Sequence, residues 1–437
     1  MFKTSSPMMI SSLSSHFMLI LDQLILANYS IDAMAGASAA SVWCGMLQFA
    51  TMSITTVVGA LVGNYNGAKK FELAGTPVWQ MIWFSVSLFS ISIPFSMLLA
   101  KFCIPKILWN EGIPYFKVLM FSAPLSGIYY VLSSFFVAIG KGILVTISIL
   151  VANIVNVTLD IILVFGYFGI EKFKGSLGAA TGTVIALLVE IIILFSYFFS
   201  KKIREKYGTL NFKLRFEKLK ECLKLGASGG IGHVCEMSAW SFVYYNLASI
   251  SKDLALIQSI AVSVNIFLAF IVSGLEKGMM SMTANLLGAG KKDRIRTLIK
   301  KGVCIHIMFV VIAAPIFIFY PELIIKNFIK FDINERVMCE IVVMLRVVLL
   351  FFIVDGLVWV IAGVIEGGGD ISYVMLTIAV CIWCIVVIPS FALSKFGIQL
   401  GLFHVEITWI LLSFAAASEA LLLYRRYRSD KWIHIKV

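Results

Sequence analysis

Charge is what this chain has least of. Asp, Glu, Lys and Arg make up 14% of its 437 residues, where soluble domains carry about a quarter. With 60% of the residues hydrophobic, a surface of ordinary polarity cannot be built. A water-soluble globule is excluded, and lipid must be the solvent for most of the chain. Histidine is scarce as well, at five. There is no His-Glu-x-x-His and no cluster of metal-ligating histidines, so a catalytic zinc site has nothing to draw on. No Gly-x-x-x-x-Gly-Lys-Ser/Thr run is present to bind ATP, and no Gly-x-Ser-x-Gly elbow to present a nucleophile. The eight cysteines fall almost wholly in apolar stretches. Cys381-Ile-Trp-Cys384 has redox spacing, yet it sits among Ile, Val and Trp and reads as packing. These absences argue against an enzyme and imply no cofactor. No cleavable signal peptide is expected, because the first apolar stretch runs past Asp22 without a small-residue cleavage site.

What the chain does have is long apolar runs. About twelve windows approach the roughly 20 apolar residues that a bilayer-spanning helix needs, near 8–28, 33–62, 77–100, 115–138, 144–167, 177–200, 223–248, 254–286, 302–325, 338–363, 372–394 and 401–424. They are too long for strands, and the alternation of a membrane barrel is missing. The chain also repeats itself. Asn64-x-x-Gly67-Ala68 returns as Asn285-x-x-Gly288-Ala289, and Asp32 returns as Asp253 at the same offset. The expected fold class is therefore all-α integral membrane, with twelve transmembrane helices in two six-helix lobes. Six helices per repeat is an even number, so the copies should be related by a pseudo-twofold along the membrane normal. The domains expected are residues 1–200 (N-lobe), 201–222 (cytoplasmic linker), 223–424 (C-lobe) and 425–437 (cytoplasmic tail).

The net charge of +12 does not mark a nucleic-acid binder, because no aromatic–basic interleaving accompanies it. Its placement is a topology signal. Residues 201–224 hold nine of the 36 lysines and arginines, and basic loops stay in the cytoplasm. Both termini are expected inside. The second part of the linker is expected to be a surface helix, with Leu214, Leu219 and Leu223 against the membrane.

An ionised side chain in mid-bilayer is costly, so acids there need a partner, a wet cavity or a proton. Four stand out: Asp22, Asp160, Glu236 and Asp355. Asn156 precedes Asp160 by one helical turn, so both share a face. That pair suits a small hard cation such as Na+, and a buried acid can equally carry a proton. Structural hydrogen bonding is the rival reading. His233 and His16 stand near acids that they could tune. Gln258 and Asn265, seven apart, could line a substrate cavity. Glu276 and Lys277 are expected to snorkel toward the cytoplasmic surface.

Taken in order, these residues resemble a known family. Pro7 with Asp22, Asn153-Ile-Val-Asn156-Val-Thr-Leu-Asp160, Gly178-Ala-Ala-Thr-Gly-Thr183, Gly226 with Glu236, and Arg346 with Asp355 and Gly367-Gly-Gly-Asp370 are similar to the motifs of MATE (multidrug and toxic compound extrusion) transporters. The resemblance spans essentially the whole chain. It implies an antiporter exporting organic, often cationic and lipophilic, compounds against Na+ or H+. It also implies a cation site of Asp22, Asn156, Asp160 and Thr183 in the N-lobe and an acidic pair of Glu236 and Asp355 in the C-lobe. The chain departs from the pattern at Asn64 and Asn285 (usually Gln), at Glu366 (usually Arg), at Ala27 (usually Gly) and at Ser228 (usually Pro). A flippase of lipid-linked sugars or another amphiphile is the alternative, although its phosphate-bearing cargo would want basic rather than acidic buried charge. The expected setting is a monomer in the plasma membrane (the bacterial inner membrane), in contact with membrane lipids and a small organic substrate.

Overall fold

The computed structural model describes residues 2–328, 335–395 and 403–434. Among the described residues the regular structure is all helical, with twelve long helices and no strand. We label the first six α1 (Phe2–Tyr29), α2 (Ile31–Gly67), α3 (Phe71–Cys103), α4 (Lys106–Ala138), α5 (Gly142–Phe165) and α6 (Ser176–Phe198). The second six are α7 (Phe216–Ile250), α8 (Lys252–Gly288), α9 (Ile295–Phe319), α10 (Glu335–Gly367), α11 (Ile371–Lys395) and α12 (Phe403–Arg428). Each coincides with one of the twelve apolar windows.

Ten of the twelve are apolar enough to cross a membrane on composition alone. The exceptions are α1 and α7, the first helix of each repeat. α1 carries a run of serines, and α7 opens with the basic end of the linker. Both are long enough to span, since 28 residues rise about 42 Å. Their polar residues need partners, and the packing supplies them.

The chain forms two compact units. One comprises Ser6–Ile231 with Ala284–Lys292, and the other comprises Gly232–Thr283 and Asp293–His434 together with the chain's start up to Ser5. In the first, α5 lays a polar stripe along α1. Thr146 Oγ1 donates to the Pro7 carbonyl at 2.8 Å. One heptad on, Asn153 Nδ2 donates to the Ser14 carbonyl at 2.9 Å and to Ser14 Oγ at 2.7 Å. Small residues of α2 (Ala33, Ala37, Ala40) let α4 come close, and Phe116 and Tyr115 close that core. Packing through small residues is how helices gain contact where lipid offers no hydrophobic drive. α4 bends at Met120–Phe121, near Pro124, whose missing N–H leaves the Met120 carbonyl unbonded within the helix.

The repeated Asn-x-x-Gly motif also finds its physical reason in this unit. A Cβ on Gly67 would strike the Asn285 carbonyl oxygen, and a Cβ on Gly288 would strike that of Asn64. The two copies interlock as mirror roles. Asn66 Nδ2 donates to Asn285 Oδ1 at 2.6 Å, and Asn285 Nδ2 to the Ala138 carbonyl at 2.9 Å. Only glycine permits that approach.

In the second unit α10 is the central element. Gly356 leaves room for the His306 ring of α9, while Gly363 and Gly367 sit against the α8 backbone at Glu276 and Met280. A π-turn occupies Ile382–Val387 of α11, just ahead of Pro389, whose missing N–H disturbs the helical ladder there. The segment 211–215 is not helical; the surface helix expected in the linker begins only at Phe216.

Candidate functional site

The first unit brings Asp22, Asn156, Asp160 and Thr183 together from α1, α5 and α6. Asp22 is 4% exposed, while Asn156 and Asp160 are fully buried. The polar stripe of α5 fixes α1 in depth and rotation, and thereby aims Asp22. On α6, Gly178 lets the backbone meet α5 at Leu163–Val164, and a Cβ at Gly182 would overlap Asp160 Oδ1. Two glycines one turn apart thus make space for a buried carboxyl.

The polar contacts form one network. With its amide nitrogen turned to the carboxylate, an orientation assigned from hydrogen bonding, Asn156 donates to Asp22 Oδ1 at 2.8 Å. Its oxygen then accepts the Thr183 N–H at 3.3 Å. In the other orientation the nitrogen lies 3.5 Å from Asp160 Oδ1. Thr183 Oγ1 is 3.5 Å from Asp22 Oδ2, and the Asp22 and Asp160 carboxyls lie side by side. Asp160 Oδ2 is buried without a hydrogen-bond partner. Two carboxyls in contact, away from water, cannot both stand ionised and uncompensated. A shared proton or a small cation answers the charge, and the oxygens of Asp22, Asp160, Asn156 and Thr183 are the hard donors that such a cation takes. Among the described residues no group of three or more His, Cys, Asp or Glu side chains forms a metal cluster.

The acids of the second unit are arranged differently. Glu236 on α7 has His233 Nδ1 3.4 Å from its Oε2, one turn back on the same helix. The neighbouring Cys235 carbonyl accepts Trp383 Nε1 at 3.2 Å, which ties that turn to α11. Asp355 on α10 accepts Trp359 Nε1 at 2.9 Å on its own helix. Asp355 is thus occupied on its own helix, while Glu236 Oε2 is buried without a hydrogen-bond partner. The side chain of His16 lies outside the described residues.

Gln258 is fully buried and accepts Trp409 Nε1 at 2.8 Å. Trp409 in turn packs edge-on to Phe351 and against Trp240. Asn265 is also buried. Glu276 departs from the snorkelling expectation. Its side chain comes up against that of Glu366 across the α8–α10 crossing that Gly363 and Gly367 hold tight. Sequence reading missed this acid–acid pair. The spacing of Gly363 and Gly367 hints at a close crossing, but nothing along one helix says that Glu276 is what Glu366 meets there.

A bundle of membrane-spanning helices with carboxyls buried inside it is the architecture of an integral membrane transporter. A family model described as MatE matches residues 7–162 and 241–392, and the chain belongs to the MATE family. It is similar to a probable multidrug resistance protein NorM of Pasteurella multocida (21% identity, covering 97% of this chain and 92% of that one). It is likewise similar to a probable NorM of Pseudomonas putida (24%, 96% and 92%) and to a probable multidrug resistance protein YoeA of Bacillus subtilis (23%, 98% and 95%). Among solved structures, the eukaryotic MATE transporter AtDTX14 shares the fold with a TM-score of 0.83 at 21% identity, covering 99% of this chain and 95% of that one. A MOP superfamily transporter from Pyrococcus furiosus does so at 0.81 and 16%, covering 99% and 96%.

Proposed function

We propose that this transporter exports organic, lipophilic and mainly cationic compounds across the plasma membrane, in exchange for Na+ or H+, by alternating access. One observation carries the reading. Asp22, Asn156, Asp160 and Thr183 converge on a buried carboxyl whose second oxygen has no hydrogen-bond partner. Oxygen-bearing side chains of three helices meeting at one buried carboxyl are what an ion site needs, and the open oxygen, a state that Glu236 Oε2 shares, leaves a position for the ion. The relatives named as multidrug resistance proteins support an organic cargo. The buried acids suit cationic cargo and a cationic coupling ion better than the phosphates of a lipid-linked sugar. Ion and substrate that favour opposite arrangements must weaken each other's binding by the same factor. Glu236 and Asp355 are proposed to tune this cycle, and Gln258 and Asn265 to contact substrate. Both termini are proposed to be cytoplasmic, and the working unit to be the monomer.

The test is uptake into everted vesicles. Ethidium accumulation is measured under separate Na+ and H+ gradients, in the unmodified protein and in Asp22→Asn, Asp160→Asn, Glu236→Gln and Asp355→Asn. Accumulation under one gradient, lost in the first two variants, supports the reading. Unchanged transport in all four sinks the site assignment, and failure of both gradients to drive any cation turns the case toward the flippase.

A further inference from the structure

The linker between the repeats holds a surface outside the candidate ion site. Three side chains of α3 grip its backbone. Trp79 Nε1 donates to the Thr209 carbonyl at 2.6 Å and Trp83 Nε1 to that of Phe212 at 2.8 Å. Gln80 closes the grip from both ends of its amide. Its Nε2 donates to the Lys213 carbonyl at 3.0 Å, and its Oε1 accepts the Arg215 N–H at 2.8 Å. Residues 79, 80 and 83 share one helix face, so the segment 209–215 is strapped along α3 by its main chain.

With the backbone turned inward, the side chains are left outside. Leu210, Phe212, Leu214 and Phe216 are 53%, 58%, 44% and 74% exposed. Between them stand Lys213 and Arg215, both exposed. Such a row of apolar groups would be a liability in water. Its neighbours show where it lies. Trp79 packs among Phe195, Phe198, Phe199 and Phe212, and Trp83 is 38% exposed on a membrane-spanning helix. Tryptophans at the end of a span mark the headgroup level. The charge has one sign: residues 201–224 carry nine lysines and arginines against three glutamates. One of those glutamates, Glu221, is taken up by Lys218 at 2.7 Å, which leaves Lys213 and Arg215 facing outward with no carboxylate between them.

We propose that residues 209–216 form an interfacial anchor that binds anionic phospholipid. Leu210, Phe212, Leu214 and Phe216 enter below the headgroups, and Lys213 and Arg215 meet the phosphates. The anchor holds the end of α3 and the first repeat's exit at a fixed depth. It selects anionic over zwitterionic lipid, because each basic residue at an anionic surface multiplies binding about fivefold.

The test places a fluorescent amino acid in place of Leu214 in the full chain, reconstituted in nanodiscs. Quenching is titrated with brominated phosphatidylglycerol and, separately, brominated phosphatidylcholine. Half-maximal quenching is expected at roughly 25-fold lower mole fraction of the anionic lipid, about fivefold for each of the two basic residues. Lys213→Glu with Arg215→Glu should abolish the difference while leaving quenching by phosphatidylcholine in place. Lys213→Gln with Arg215→Gln, a milder change, should narrow it without disturbing the gel-filtration profile. Equal quenching by both lipids in the otherwise unmodified chain overturns the headgroup selection. Absence of quenching by either overturns the anchor itself and leaves a protein partner as the occupant of the surface.

Discussion

The two repeats begin alike and then part. α1 and α7 are each the more polar, first helix of their repeat, and each carries a buried acid. In the first unit Asp22 meets the acid of another helix, Asp160 of α5, within a network closed by Asn156 and Thr183. In the second, α11 stands where α5 stands in the first repeat, and it contains no acid at all. The second carboxyl has moved to α10 as Asp355, where Trp359 of the same helix occupies it. Glu236 has His233 Nδ1 3.4 Å away on its own helix, and its Oε2, like Asp160 Oδ2, is buried without a hydrogen-bond partner. Duplication copied the helices and not the chemistry. What separates the units is convergence: acids of different helices meet in the first, while in the second each stands beside a group of its own helix.

The largest effect should therefore follow loss of convergence. Asp160→Asn removes the carboxyl with the open oxygen, and coupled ethidium transport is expected to fall by about a hundredfold, the upper range of a typical coupling free energy. Asp22→Asn should do nearly the same. Glu236→Gln and Asp355→Asn should cost about tenfold or less. Transport rates, normalised to the amount of protein in the vesicles, decide the matter. A ranking in which the α7 and α10 variants are the more damaging reverses the comparison.

Next in size is the space that admits Asp160. In Gly182→Ala the new methyl would overlap Asp160 Oδ1, in a fully buried position where overpacking typically costs about 1–3 kcal/mol. We expect a lower Tm in detergent together with weakened ion dependence of transport. A Tm and ion dependence equal to the unmodified protein would show that the carboxyl can move aside at no cost.

Much of this architecture was readable in the residues. Every long helix coincides with an apolar window, because a bilayer requires length and hydrophobicity that no loop mimics. The Asp22–Asn156–Asp160–Thr183 set was legible through helical spacing and family resemblance. Three features were not. The Glu276–Glu366 contact depends on which faces of α8 and α10 meet, and periodicity along one helix does not encode that. The strapping of 211–215 to α3 depends on main-chain bonds to Trp79, Gln80 and Trp83, which leave no mark in the linker's own composition. The boundary of the compact units inside α7, at Ile231, follows from tertiary contacts such as the Ile54 backbone against Gly226; the hydropathy of an uninterrupted helix gives no hint of it.

The acid pair sharpens the comparison from the other side. If Glu276 and Glu366 support the fold, Glu366→Gln keeps a donor for Glu276 and should cost about 1 kcal/mol or less. Glu366→Leu strands the Glu276 carboxyl at the crossing and should cost about 1–3 kcal/mol. Chemical denaturation in detergent separates the two. Transport lost in Glu366→Gln at unchanged stability would show that this unit, too, holds a functional acid pair, and the contrast between the repeats would shrink.

The smallest effect concerns Gln258, where support and substrate contact make opposite forecasts. Its amide oxygen accepts the Trp409 N–H, and its Nε2 is buried without a partner. Trp409→Phe keeps an aromatic ring and removes that donor, which should cost about 1 kcal/mol of stability. If support were the whole of Gln258's role, Gln258→Leu in the Trp409→Phe background would recover the loss, since neither partner would then be left unsatisfied. If the free amide nitrogen meets substrate, the double variant should regain stability while the KM for ethidium stays raised. The two readouts separate because satisfying a buried group restores the fold, and only the amide itself can restore a contact with the cargo.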